Sequence, residues 1–112
     1  IGDFMIKLHA LKIDVVATLG KRYWLTEVRP VYKYTDNKKT DEIDGYRYTI
    51  VLPERGLEKI SVKIEGKKRI DTPDNYVEVD FSNLELYIYW LSGQPQIGAR
   101  AKDIHLAMEV VE

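Results

Sequence analysis

The chain has 112 residues, a formal net charge of −1 at pH 7, two histidines and no cysteine. That length suits a single domain whose core needs no staples, and the missing cysteines exclude disulfides, thiolate catalysis and Cys-ligated zinc. No apolar run is long enough to cross a bilayer, so a cytoplasmic protein with no membrane partner is expected.

The small net charge hides an asymmetry. Residues 21–69 hold thirteen Lys/Arg against eight Asp/Glu, a net of +5, whereas residues 70–112 hold two against eight, a net of −6. A basic middle third can form the electrostatic footprint of a polyanion site. It can equally be cancelled by acidic neighbours across a sheet.

At the N-terminus there is no basic leader followed by a continuous apolar core, so a signal peptide is not expected. Ile1 to Phe4 read as a cloning remnant ahead of a natural start at Met5. Leu11, Ile13 and Val15 alternate with Lys12 and Asp14, the period of a half-buried strand over 11–16. From Tyr23 to Tyr34 the β-formers Tyr, Trp, Thr and Val recur around Pro30, which lacks a ladder donor and marks an edge or a bulge. TDNKKTDEIDG, residues 35–45, is polar and ends on Asp-Gly, which predicts a long hairpin loop.

The strand YRYTIVL follows and is stopped by Pro53. Next comes KISVKIE, in which Ile60, Val62 and Ile64 share one face and Lys59, Ser61 and Lys63 the other. Residues 66–75 form a connector holding Lys67, Lys68 and Arg69, with room for a loop or a single turn. YVEVDF points Val77, Val79 and Phe81 inward, and LELYIYW sets Leu84, Leu86, Ile88 and Trp90 against Tyr87 and Tyr89. After a Gly/Pro-rich loop, Ile104, Leu106, Met108 and Val110 stand at strand spacing, a pattern that a short helix also fits. Five to seven short strands in one domain predict an all-β, antiparallel Greek-key barrel over residues 1–112, resembling the OB-fold.

Catalytic constellations are missing. His9 and His105 have no spaced partner for a metal triad, and Gly20-Lys21-Arg22 lacks the upstream glycine of a phosphate loop. Asp36, Asp41, Glu42 and Asp44 do not have calcium-loop spacing. No enzyme, cofactor or metal is expected.

Twelve aromatics, eight of them tyrosine, are the chain's strongest bias. Tyrosine suits a binding face because its ring stacks and its hydroxyl tolerates water. The triplet Tyr46-Arg47-Tyr48 resembles two stacking platforms around a phosphate contact. Strand alternation divides it, however: Tyr46 and Tyr48 fall on the Ile50 and Leu52 face, and Arg47 falls outside. The stacking candidates are therefore Trp24, Tyr32, Tyr34 and Tyr87. The phosphate candidates are Lys33, Arg47, Lys59 and Lys63, with the loop residues Lys67, Lys68 and Arg69 beside them.

One stretch adds a resemblance. Val79, Phe81 and Asn83, followed by Ala101, Asp103 and Ile104, are similar to the closing strands of small OB-like proteins encoded on conjugative transposons and plasmids of Gram-positive bacteria. Residues 17–21, ATLGK, resemble the opening of the same family, with Leu19 in place of an aromatic. The resemblance implies a DNA-binding accessory protein of a mobile genetic element. Such a protein would act on single-stranded DNA in transfer or replication, with a helicase or relaxase as possible partner. The competing expectation is a protein-interaction module that pairs through a strand edge near Pro30 or at the C-terminal strand, with a transfer protein or with itself.

Overall fold

The structure is a computed structural model, and residues 13–107 are described. The expected start at Met5, His9, and the end of the last strand at Met108 and Val110 lie outside them. The elements are α1 (Val15–Leu19), β1 (Tyr23–Thr35), β2 (Lys38–Leu52), β3 (Glu58–Glu65), β4 (Val77–Ser82), β5 (Glu85–Leu91), β6 (Gln94–Arg100) and β7 (Asp103–Leu106). A 3₁₀ turn, Pro53–Arg55, follows β2.

The strands form one seven-stranded sheet in the order β5-β6-β3-β2-β1-β4-β7. The protein is all-β, but the sheet is mixed where an antiparallel one was expected. β6 runs parallel to β3, with Val62 beside Ala99 and Lys63 beside Arg100. The chain leaves β3 for β4 on the far side of the sheet and turns back through β5, so β6 reaches β3 in the same direction. No short-range pattern announces such a pairing.

Two local expectations are corrected. Residues 15–19 are a helix and not part of a strand: Asp14 caps it by accepting the Ala17 N–H at 3.0 Å, and Gly20 ends it with φ +84°. These are ordinary helix start and stop signals, and they outweigh the two-residue alternation. The turn of the first hairpin is only Asp36 and Asn37, both at positive φ, as a two-residue type I′ turn requires. Residues 38–44 continue as strand, so β1 and β2 project beyond the sheet as a two-stranded ribbon from Val31 to Asp44.

Gly45 is the base of that ribbon rather than the end of a loop. A Cβ there would sit 2.5 Å from the Ile64 carbonyl oxygen, so only glycine allows β2 to press against β3 at this point.

The core follows the predicted alternation in β2, β3 and β4 but not to the ends of β5 and β7, where Trp90 and Leu106 share the face of buried neighbours and are themselves exposed. Leu25, Tyr48, Ile50, Leu52, Val62, Ile64, Val79, Leu86 and Ile104 are buried, and Tyr46, Ile60, Val77 and Phe81 pack against them. Tyr48 is fully buried, and its hydroxyl accepts the Arg69 backbone N–H at 2.8 Å. Residues 66–76 contain neither helix nor strand. They are fastened instead by that bond and by Thr72, whose hydroxyl accepts the Val28 N–H and donates to the Val28 carbonyl. Thr72 thereby covers the side of β1 that β4 leaves unpaired beyond Leu25, beside Pro30.

Candidate functional site

Strand pairing aligns the outward side chains of β1, β2, β3 and β6 in rows. One row runs Arg29, Arg47, Lys63, Arg100, four cations on four neighbouring strands. Like charges placed directly opposite one another destabilise a sheet. Three of the four are offset by carboxylates: Arg29 by Glu27 at 2.6 Å, Lys63 by Asp44 at 2.8 Å and Arg100 by Glu85 at 3.1 Å. The hydrogen bond from Lys63 holds the Asp44 carboxyl below its ordinary pKa. Arg47 has no ion-pair or hydrogen-bond partner among the described residues.

Beside Arg47 the outer face dips into an open groove of about 530 Å³, lined by Arg47, Lys59, Ile60, Ser61, Tyr87, Tyr89, Ile97 and Gly98. Ser61 in its lining shares a hydrogen bond of 3.0 Å with Thr49, its partner on β2. Tyr87 and Tyr89 stand two residues apart on β5 with ring centroids 6.1 Å apart. The Tyr87 ring lies across Gly98, its direct partner on β6, where any Cβ would overlap it. Arg100 sits 4.9 Å from the centre of that ring.

The groove thus brings together three of the residues expected from sequence, Arg47, Lys59 and Tyr87. Lys63 adjoins it, tied to Asp44. It also holds Tyr89, Ser61 and Gly98, which are not among the site residues expected from sequence. Period two places Tyr89 beside Tyr87, and a glycine inside a strand marks a close approach, so both signals were present.

Other expected residues are placed elsewhere or are already engaged. Trp24 faces outward in the row Glu78, Trp24, Val51, Lys59, about 10 Å from Lys59 at ordinary strand spacing. Its ring packs on Tyr76 with centroids 4.8 Å apart, and its Nε1–H donates to Glu78 at 3.3 Å. Arg22 donates to the same carboxylate and holds Glu78 below its ordinary pKa. Trp24 is therefore a member of a surface cluster and not an open platform.

Tyr32, Lys33 and Tyr34 lie on the projecting ribbon, outside the groove. Tyr34 is 70% exposed, Tyr32 is covered by Lys39 at 4.6 Å, and Lys33 pairs with Glu42 at 3.7 Å. In the connector, Arg69 is a structural tie: its guanidinium donates to Asp103 at 3.2 Å and to the Lys67 carbonyl. Lys68 pairs with Asp71 at 3.0 Å, which raises its pKa, and Lys67 is exposed.

Among the described residues no group of three or more His, Asp or Glu could hold a metal ion, and no helix is long and apolar enough to cross a membrane. Comparison with protein-family models, curated proteins and solved structures returns no match.

Proposed function

We propose that the protein binds single-stranded nucleic acid across the outer face of β2, β3, β6 and β5, without catalysing a reaction. The observation that carries this reading is the groove itself. Two tyrosines stand beside Arg47 and Lys59, and neither cation has a carboxylate partner among the described residues. Bases stack on tyrosine whatever their sequence, each contact worth about 1–3 kcal/mol. Arg47 and Lys59 supply the phosphate contacts, and Arg100 moves from the Tyr87 ring to a phosphate when a base takes its place.

The fold belongs to the same proposal. In an OB-type barrel the fifth strand runs parallel to the third and antiparallel to the fourth. Here β6 and β7 are separated only by Ala101 and Lys102. The Ala101 N–H donates to Lys63 of β3 and the Lys102 N–H donates to Ser82 of β4, which supports reading β6 and β7 as that strand. The groove then lies on the second and third strands, beside the hairpin of the fourth and fifth, the surface OB-folds use for oligonucleotides. A place in conjugative transfer or replication rests on the resemblance around Val79, Phe81 and Asn83.

Fluorescence anisotropy of a labelled oligo-dT tests the site. The wild-type chain binds it at low salt, and the double variant Arg47→Ala, Lys59→Ala loses at least tenfold in affinity. Equal binding by the two proteins removes the groove from the account.

A further inference from the structure

The two ends of the sheet are unlike. β7 is an edge of four residues that begins on Asp103, short and charged as natural edge strands are. β5, at the other end, has seven residues, Glu85-Leu-Tyr-Ile-Tyr-Trp-Leu91, with one charge at its first position and no lysine or proline. Among the described residues its outer backbone groups receive no strand, and no side-chain hydrogen bond reaches 86–91. Tyr89, Trp90 and Leu91 are exposed, the last two at 59% and 60%. A long, apolar, unblunted edge is a template for another strand.

From this edge we infer that β5 pairs antiparallel with β5 of a second copy of the chain, about a twofold axis through Ile88. Three features of the strand select that occupant. First, this register pairs all seven residues: Ile88 meets Ile88, Tyr87 meets Tyr89, Leu86 meets Trp90 and Glu85 meets Leu91. Second, the five central residues pair like with like, Tyr87 with Tyr89 on one face and Leu86 with Trp90 and Ile88 with Ile88 on the other, and such cross-strand pairs stabilise a sheet; only the end pair Glu85 and Leu91 sets a charge against an apolar side chain. Third, the antiparallel arrangement sets the two Glu85 carboxylates about 20 Å apart at 3.4 Å per residue, whereas a parallel one would set them side by side.

Pairing in this way continues the sheet through β6-β5-β5-β6 across the two copies. Tyr87 and Tyr89 of both chains then line one face, so that the two grooves open on a common surface. A single edge of this length buries less than the roughly 1,200 Å² of a stable interface. The dimer is therefore weak and separates on dilution.

The absence of cysteine makes cross-linking a clean test. In this register the two Ile88 α-carbons approach to about 4.5–5.5 Å, within reach of a disulfide. Ile88→Cys is expected to form a disulfide-linked dimer on mild oxidation. Leu91→Cys, with its symmetry mate about 20 Å away, is expected to stay single. Sedimentation of the wild-type chain should show a monomer–dimer equilibrium, and Trp90→Lys, a change at an exposed edge position, should abolish both the dimer and the Ile88→Cys cross-link. A wild-type chain that is monomeric at every concentration, or a Leu91→Cys variant that cross-links as readily as Ile88→Cys, overturns the inference. So does a monomer whose β5 edge takes a strand from a different protein. None of these measurements uses nucleic acid, so the proposed binding stands or falls separately.

Discussion

Tyr87 lies across the α-carbon of Gly98, its direct antiparallel partner, and a side chain at 98 would occupy the space of the ring. The glycine on β6 thus sets how the tyrosine on β5 is presented in the groove. Gly98→Val is expected to tilt Tyr87 away and to weaken oligonucleotide binding by roughly 1–3 kcal/mol, the range of one lost stacking contact. Tyr87→Ala should cause a loss of the same size. Anisotropy titrations of the two single variants and the double variant check this, the double losing no more than the worse single.

Arg47 stands between Arg29 and Lys63 in the cross-strand row and has no acidic partner among the described residues. Arg47→Ala removes a phosphate contact and should lower the slope of log affinity against log salt by about 0.7. Its urea unfolding midpoint should hold or rise slightly, because like charges opposite one another are relieved. Lys33→Ala on the ribbon, where Lys33 pairs with Glu42, should leave the slope unchanged.

Tyr48 fills the centre of the core, and its hydroxyl receives the Arg69 N–H. Tyr48→Phe keeps the ring and deletes the acceptor. We expect a loss of about 1–3 kcal/mol in unfolding free energy, the cost of an orphaned donor. Faster amide exchange in residues 66–72 is expected as well. Denaturant titration and hydrogen exchange measure the two effects.

Burial raises the pKa of Tyr48 and, assisted by Asp80 and Glu54, that of Tyr23, whose hydroxyl donates to the Gly20 carbonyl at 2.9 Å. In the unfolded chain both titrate near ~10 and release their protons first. The stability they contribute is therefore complete below that pH and falls as pH rises through the folded-state values. Unfolding midpoints between about pH 9 and 12 should decline, and Tyr23→Phe should make the decline shallower.

The inward faces were legible because a strand with one buried side writes its period directly. Tyr46, Tyr48, Ile50 and Leu52 fall on that face, as do Ile60, Val62 and Ile64. The projecting ribbon was not legible, because residues 38–44 bury no face and their polarity resembles a loop. Helix α1 was missed because five residues are too few for a 3.6-residue period to overrule an accidental alternation. In the site, Arg47, Lys59 and Tyr87 could each be placed outside by period alone. Their meeting could not, since it depends on β6 joining β3 across some forty residues of chain. Separations of 34 and 54 residues likewise hid the engagement of Arg69 with Asp103 and of Trp24 with Glu78.

The proposed interface on the outer face of β2, β3, β6 and β5 would take a single strand through phosphate contacts and stacking. The most direct measurement is a titration of labelled oligo-dT with the wild-type chain over a series of salt concentrations. Saturable binding is expected at low salt, weakening steeply and log-linearly as counterions compete. No change in anisotropy at low salt, or binding indifferent to salt, would contradict it.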